Sequence, residues 1–137
     1  MNREKTELQF PSRIESIDKA VTAAADFGRQ SGFSDDALHG IDMAVREAVI
    51  NAVRHGNKED ETKPVEIVFS SSSEGFEITV RDFGAGFNVE DVPDPTNPEN
   101  LMKESGRGIL FMRAFMDRVE WLNHEGGGMI VKMLKRR

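Results

Sequence analysis

The apolar residues of this chain pass from helical to strand spacing near Lys63 and Pro64, and that change limits the architecture more than any other feature. Before it, "SRIESIDKAVTAAADFGRQSG" places Ile14, Ile17, Val21, Ala24 and Phe27 at helical spacing and runs to Gly32, a C-terminal stop. "SDDALHGIDMAVREAVINAVRHG" repeats the pattern with Leu38, Ile41, Val45, Ala48 and Ala52; Ser34 is its N-cap, acids fill its first turn, and it ends near Gly56. After the polar "NKEDETK", Val65, Ile67 and Phe69 alternate with polar neighbours, as do Phe76, Ile78 and Val80. Side chains alternate across a strand, so each run presents one apolar face. Two helices and a hairpin, each apolar on one side only, must bury those sides against one another.

The flanking segments extend this scheme. Thr6 to Phe10 reads as a short strand with Leu8 and Phe10 on one side, interrupted by Pro11. From Gly84 to Gly106 the segment "NVEDVPDPTNPEN", with three prolines and several acids, suits a long surface loop with a helical turn at Leu101 to Lys103. "GILFMRAFMDRV" predicts a third helix with Ile109, Met112, Phe115 or Met116, and Val119 facing inward. "VEWLNHE" and "GGMIVKML" predict a closing hairpin across Gly126 to Gly128. The expected fold is an α/β two-layer sandwich, a largely antiparallel mixed sheet with helices on one face, formed as a single domain over residues 1–137.

Charge and composition remove several function classes. With 18 Lys plus Arg against 24 Asp plus Glu the net charge is −6, the wrong sign for holding nucleic acid by counterion release. No run approaches the roughly 18 apolar residues that span a bilayer, and "MNREKTELQF" has no apolar signal region. The chain has no cysteine, which excludes thiolate metal sites and cysteine nucleophiles and fits a reducing compartment. The expectation is a cytoplasmic protein with no direct contact to nucleic acid or membrane.

Three short motifs carry the candidate chemistry. In "REAVINAVRHGN", Glu47 and Asn51 lie four apart and so share a helix face, as idle surface or as a base beside a metal ligand. "DFGAGF" follows the strand ending at Arg81. Gly84 and Gly86 would let the backbone approach a ligand and Asp82 would accept from an amino group, although an Asp-x-Gly at a strand end is equally often a plain turn. "SGRGI" opens the third helix, where amides, glycines and Arg107 suit phosphate, or simply make a capped helix start. His39, His55 and His124 are widely separated and read as structural or solvated, and Met102, Met112 and Met116 read mainly as packing residues.

In this order and around one long loop, the motifs resemble the ATP-binding domain of gyrases, heat-shock chaperones, histidine kinases and mismatch-repair proteins, the Bergerat fold. Within it the chain is similar to the small anti-sigma-factor serine kinases. "EAVINAVRHGN" matches their N box, "DFGAGF" the first glycine box and "SGRGILFMRAFMD" the second, and "DPTNPENL" resembles the segment before it. The resemblance implies an ATP-dependent protein serine kinase that regulates by partner switching. It would bind ATP or ADP with Mg²⁺, form a homodimer, bind a sigma factor and phosphorylate a small antagonist. It assigns Asp82 to the adenine amino group, Gly84 and Gly86 to the loop around the base, and Asn51 to magnesium. Gly106, Arg107 and Gly108 would surround the phosphates, and Glu47 would be the general base. The chain departs from the sporulation-type pattern at Glu104, where an arginine is expected, with Lys103 one place earlier. The alternative reading is a non-catalytic module whose bound nucleotide only sets its shape.

Overall fold

The computed structural model describes residues 4–84 and 112–137. The elements run β1 (Glu4–Pro11), α1 (Ile14–Gln30), α2 (Asp35–Ile50), β2 (Pro64–Ser71), β3 (Gly75–Arg81), β4 (Arg118–Asn123) and β5 (Met129–Arg136). The five strands form one sheet in the order β1-β2-β3-β5-β4, and all four pairings are antiparallel.

Register follows the alternation. Leu8 pairs with Ile67 and Phe10 with Val65; Ile67 pairs with Val80 and Phe69 with Ile78; Val80 pairs with Val131 and Ile78 with Met133. A one-residue slip at any of these ladders would turn the apolar set away from the helices, so burial fixes the pairing. Pro11 closes β1 opposite Pro64, which opens β2, so two residues without N–H groups face each other at the strand ends.

Both helices lay their apolar stripes on this face. Ile17, Ala20, Val21, Ala24 and Phe27 of α1 and Leu38, Ile41, Ala44, Val45, Ala48 and Val49 of α2 join Val65, Ile67, Phe69, Phe76, Ile78, Val80, Val131 and Met133 in one cluster. At its heart the rings of Phe27, Phe69 and Phe76 lie 5.0 to 5.6 Å apart, centroid to centroid, within the range in which tilted aromatic pairs attract. Ser34 caps α2 as expected, its Oγ accepting from the Ala37 N–H at 3.2 Å.

Several sequence expectations are corrected. Ile14 is 46% exposed and belongs to the first turn of α1 rather than to its buried stripe. The second helix is α-helical only to Ile50; Asn51–Gly56 continue it as a π-helix. The third helix is described at residues 112–115, with Met112 and Met116 buried and Phe115 half-buried. The chain has left that helix by Asp117, whose N–H donates to Leu134 O, and Val119 lies in β4 opposite Met133 rather than on a helix. The expected turn at Leu101 to Lys103, together with Met102, Glu104 and Ile109, falls outside the described residues.

Candidate functional site

Asp82 sits immediately beyond β3 and is 7% exposed. Its backbone N–H donates to Met129 O at 3.0 Å, continuing the β3–β5 ladder by one step. Its Oδ1 accepts from Met129 N–H at 3.2 Å and from Gly84 N–H at 3.0 Å. The carboxylate is thereby fixed on two backbone donors before any ligand arrives. Burial pushes its pKa above the ordinary value, against the opposing effects of those two amides and of Arg81 and Lys63. A buried acceptor that is costly to ionise is the kind of group a ligand donor relieves.

The end of the second helix packs directly on this carboxylate. A Cβ on Gly56 would collide with Asp82 Oδ2, and one on Gly84 would collide with the Gly56 carbonyl oxygen. Only glycine at both places lets the helix end, the strand end and the start of the "DFG" loop touch. The π-helical winding of Asn51–Gly56 delivers this contact, because an i→i+5 turn shifts the backbone relative to an α-helix, and such turns recur at functional sites. Glu47 lies in the last turn of α2 and Asn51 begins the π segment; both are half-buried, and the Asn51 N–H donates to the carbonyls of Ala48 and Glu47.

Further residues that the sequence did not single out complete the arrangement. Asn57, directly after Gly56, is 1% exposed, and its Oδ1 accepts from the Phe83 N–H at 2.7 Å. The Phe83 ring lies under the Arg81 guanidinium, 4.1 Å from its carbon. Arg81 in turn donates to Gly127 O at 3.2 Å and lies 3.4 Å from Glu66. The β4–β5 turn is held by His124, whose Nδ1 accepts from Gly126 N–H at 2.8 Å. His39 instead makes an edge contact with Phe115, their ring centroids 6.2 Å apart. Asn57 lies within the motif that drew attention to Glu47 and Asn51, so a buried-amide reading of "HGN" was the available signal.

The structure therefore brings Asp82 and Gly84 to the helix terminus that follows Glu47 and Asn51. Gly86, Gly106, Arg107 and Gly108 lie outside the described residues.

Helices on one face of an open antiparallel sheet are the architecture of a Bergerat-type ATPase fold. The family model described as a histidine kinase-like ATPase domain matches residues 10–135, and the chain belongs to that family. It is similar to an anti-sigma F factor of Heyndrickxia coagulans, 34% identical over 138 residues that cover 97% of this chain and 92% of that protein. It is also similar to the serine-protein kinase RsbW of Bacillus subtilis, 28% identical over 131 residues, 91% of this chain and 82% of the relative. RsbW of Oceanobacillus iheyensis is 28% identical over 136 residues, 95% and 85%. Among solved structures, that of the RsbU and RsbW domains of a Mycobacterium tuberculosis protein matches with a TM-score of 0.66 at 17% identity. The match covers 97% of this chain and 32% of that one, and it speaks for the fold alone.

Proposed function

We propose that this chain is an ATP-dependent serine-protein kinase and anti-sigma factor, exchanging between a sigma factor and a small antagonist that it phosphorylates. Similarity to proteins named serine-protein kinase and anti-sigma F factor supports the class. The observation that carries the reading is the contact between Asp82 and Gly56, which sets a buried acceptor against the end of the helix bearing Glu47 and Asn51.

In this reading Asp82 accepts from the adenine amino group, and Gly84 and Gly86 let the loop follow the base. Gly106, Arg107 and Gly108 surround the phosphates. Asn51 would hold magnesium through its amide oxygen, a hard donor of the kind that ion takes; among the described residues no cluster of three His, Cys, Asp or Glu side chains could cage a metal by itself. Mg²⁺ takes few protein ligands beside phosphate, so the amide oxygen of half-buried Asn51 would suffice to hold it. When bound, the ion supplies neutralisation of charge on the transferring phosphoryl group. Glu47 takes the proton of the substrate serine hydroxyl as the serine oxygen bonds to the γ-phosphorus; the bond from that phosphorus to the β–γ bridging oxygen breaks, and ADP leaves. The kinase acts as a homodimer in the cytoplasm, its negative charge suiting neither nucleic acid nor an anionic membrane surface.

The test is transfer of the labelled γ-phosphate of ATP to a serine of the candidate antagonist, with sigma-factor binding measured in parallel. Transfer with ATP-dependent exchange of partners supports the kinase. ATP and partner binding without transfer to any verified antagonist would leave the nucleotide-gated module.

A further inference from the structure

The buried amide of Asn57 belongs to no role described so far, yet among the described residues it is the buried side chain with the most hydrogen-bond partners. Its Nδ2 donates to Ser12 Oγ at 2.7 Å and to Pro64 O at 2.9 Å, with a longer approach to Lys63 O at 3.4 Å. Ser12 Oγ in turn donates to Lys63 O at 2.6 Å. The backbone N–H of Asn57 donates to Ala52 O at 2.8 Å, closing the π-helix, and its carbonyl accepts from Asp60 N–H at 3.0 Å. Ser12 is 1% exposed, so the amide and its main side-chain partner are both out of water. One side chain thus joins the β1–α1 junction, the end of the second helix, the start of β2 and, through Oδ1, the Phe83 N–H just after β3.

We infer that Asn57 is a positioning residue for adenine recognition: by holding the Phe83 N–H it sets the peptide that follows Asp82, and so aims the Asp82 carboxylate. The inference rests on the assignment of Asp82 to the base. A chain leaving a strand end has no ladder partner to orient it. The peptide before Asp82 is held by the Asp82 N–H bond to Met129 O, and the peptide after it by the Phe83 N–H bond to Asn57 Oδ1. Without the Oδ1 acceptor the Phe83 N–H becomes a part-buried donor with no partner, which costs free energy unless the backbone rotates toward water. Rotation at Phe83 moves Gly84, one of the two amides that fix Asp82 Oδ1. The amide's remaining bonds hold it to Ser12, Lys63 and Pro64, so it acts as a bracket between those segments and the strand end that carries Asp82.

The experiment compares ATP with purine riboside 5′-triphosphate, which has the same sugar and phosphates but lacks the 6-amino group. Binding is measured by calorimetry for the unsubstituted protein, Asn57→Ala and Asn57→Ser. The serine variant is the gentler one, because its hydroxyl and a water can serve the Pro64 carbonyl region. The unsubstituted protein should prefer ATP; equal affinity for both ligands would refute the assignment of Asp82 itself. Given that preference, each folded Asn57 variant should lose about tenfold in ATP affinity and less than about twofold for the analogue. Equal losses for both ligands, or no loss for either, would overturn the inference. Hydrogen exchange in the unsubstituted protein supplies an independent readout: the Phe83 amide should be protected without nucleotide, and fast exchange there would also overturn it.

Discussion

Asp82→Asn separates what the carboxylate does for the fold from what it does for a ligand. Asparagine keeps Oδ1 as the acceptor for Gly84 and Met129, so the two internal hydrogen bonds at 3.0 and 3.2 Å survive. The oxygen against Gly56 becomes an NH₂ donor, which cannot accept from an adenine amino group. A hydrogen bond to a charged acceptor contributes about 1.5–3 kcal/mol, so ATP affinity should fall roughly 10- to 150-fold. Stability should move the other way. Burial raises the Asp82 pKa in the folded protein above its ordinary 3.8, so folding binds a proton between these two values. The ionised carboxylate therefore costs stability at neutral pH, and that cost fades as pH falls through the raised pKa toward 3.8. The asparagine variant without nucleotide should melt no lower than the parent at pH 7, and any advantage should vanish in acid. Calorimetric titration and urea denaturation across pH provide the readings. A nucleotide-free variant weaker by more than about 1 kcal/mol at pH 7 would mark the carboxylate as structural, and unchanged ATP affinity would remove it from base recognition.

Glu47→Gln should lower single-turnover transfer to the antagonist by about 10²–10⁴-fold while ATP and partner affinities persist, and equal rates would remove Glu47 as the base. Asn51→Ala should weaken magnesium-dependent ATP binding and leave the melting of the free protein nearly unchanged, since the stripe at Leu38, Ile41, Val45, Ala48 and Ala52 is untouched; a collapse of the free protein would make Asn51 structural. Phe76→Ala removes a fully buried ring that meets Phe27, Phe33 and Phe69, and should cost about 3–5 kcal/mol in urea denaturation; a loss under 1 kcal/mol would contradict the packing described.

The parts of the fold readable from sequence are those set by local pattern. The change of period at Lys63–Pro64, the Ser34 cap and the turns before Gly75 and Met129 all depend on residues within a few positions of one another. The misreadings share a cause. Met116 to Val119 fits helical spacing and strand alternation equally well, and pairing with Met133 and Leu134 decides between them. The π-helical end of the second helix answers to Asp82, which is distant in sequence, so no pattern within "NAVRHG" reveals it. At the candidate site, Glu47, Asn51 and Asp82 stand out as residue types. The groups that hold Asp82 do not: they are the backbone amides of Gly84 and Met129, the latter 47 residues away.

The place of β5 between β3 and β4 has a consequence for the order of assembly during synthesis. Val80 finds its partner Val131, and Asp82 its partner Met129, only after β5 has left the ribosome. Until then α1, α2 and the β1–β2–β3 sheet can pack, but Asp82 lacks one of the two amides that steady it. A nascent chain in this state would present Glu47 and Asn51 beside an Asp82 carboxylate not yet fixed, so, with Asp82 in its proposed role, nucleotide would bind tightly only once β5 is in place. Ligand that binds only the form with β5 docked draws the folding equilibrium toward it, and the nucleotide would then act as a check that β5 has docked.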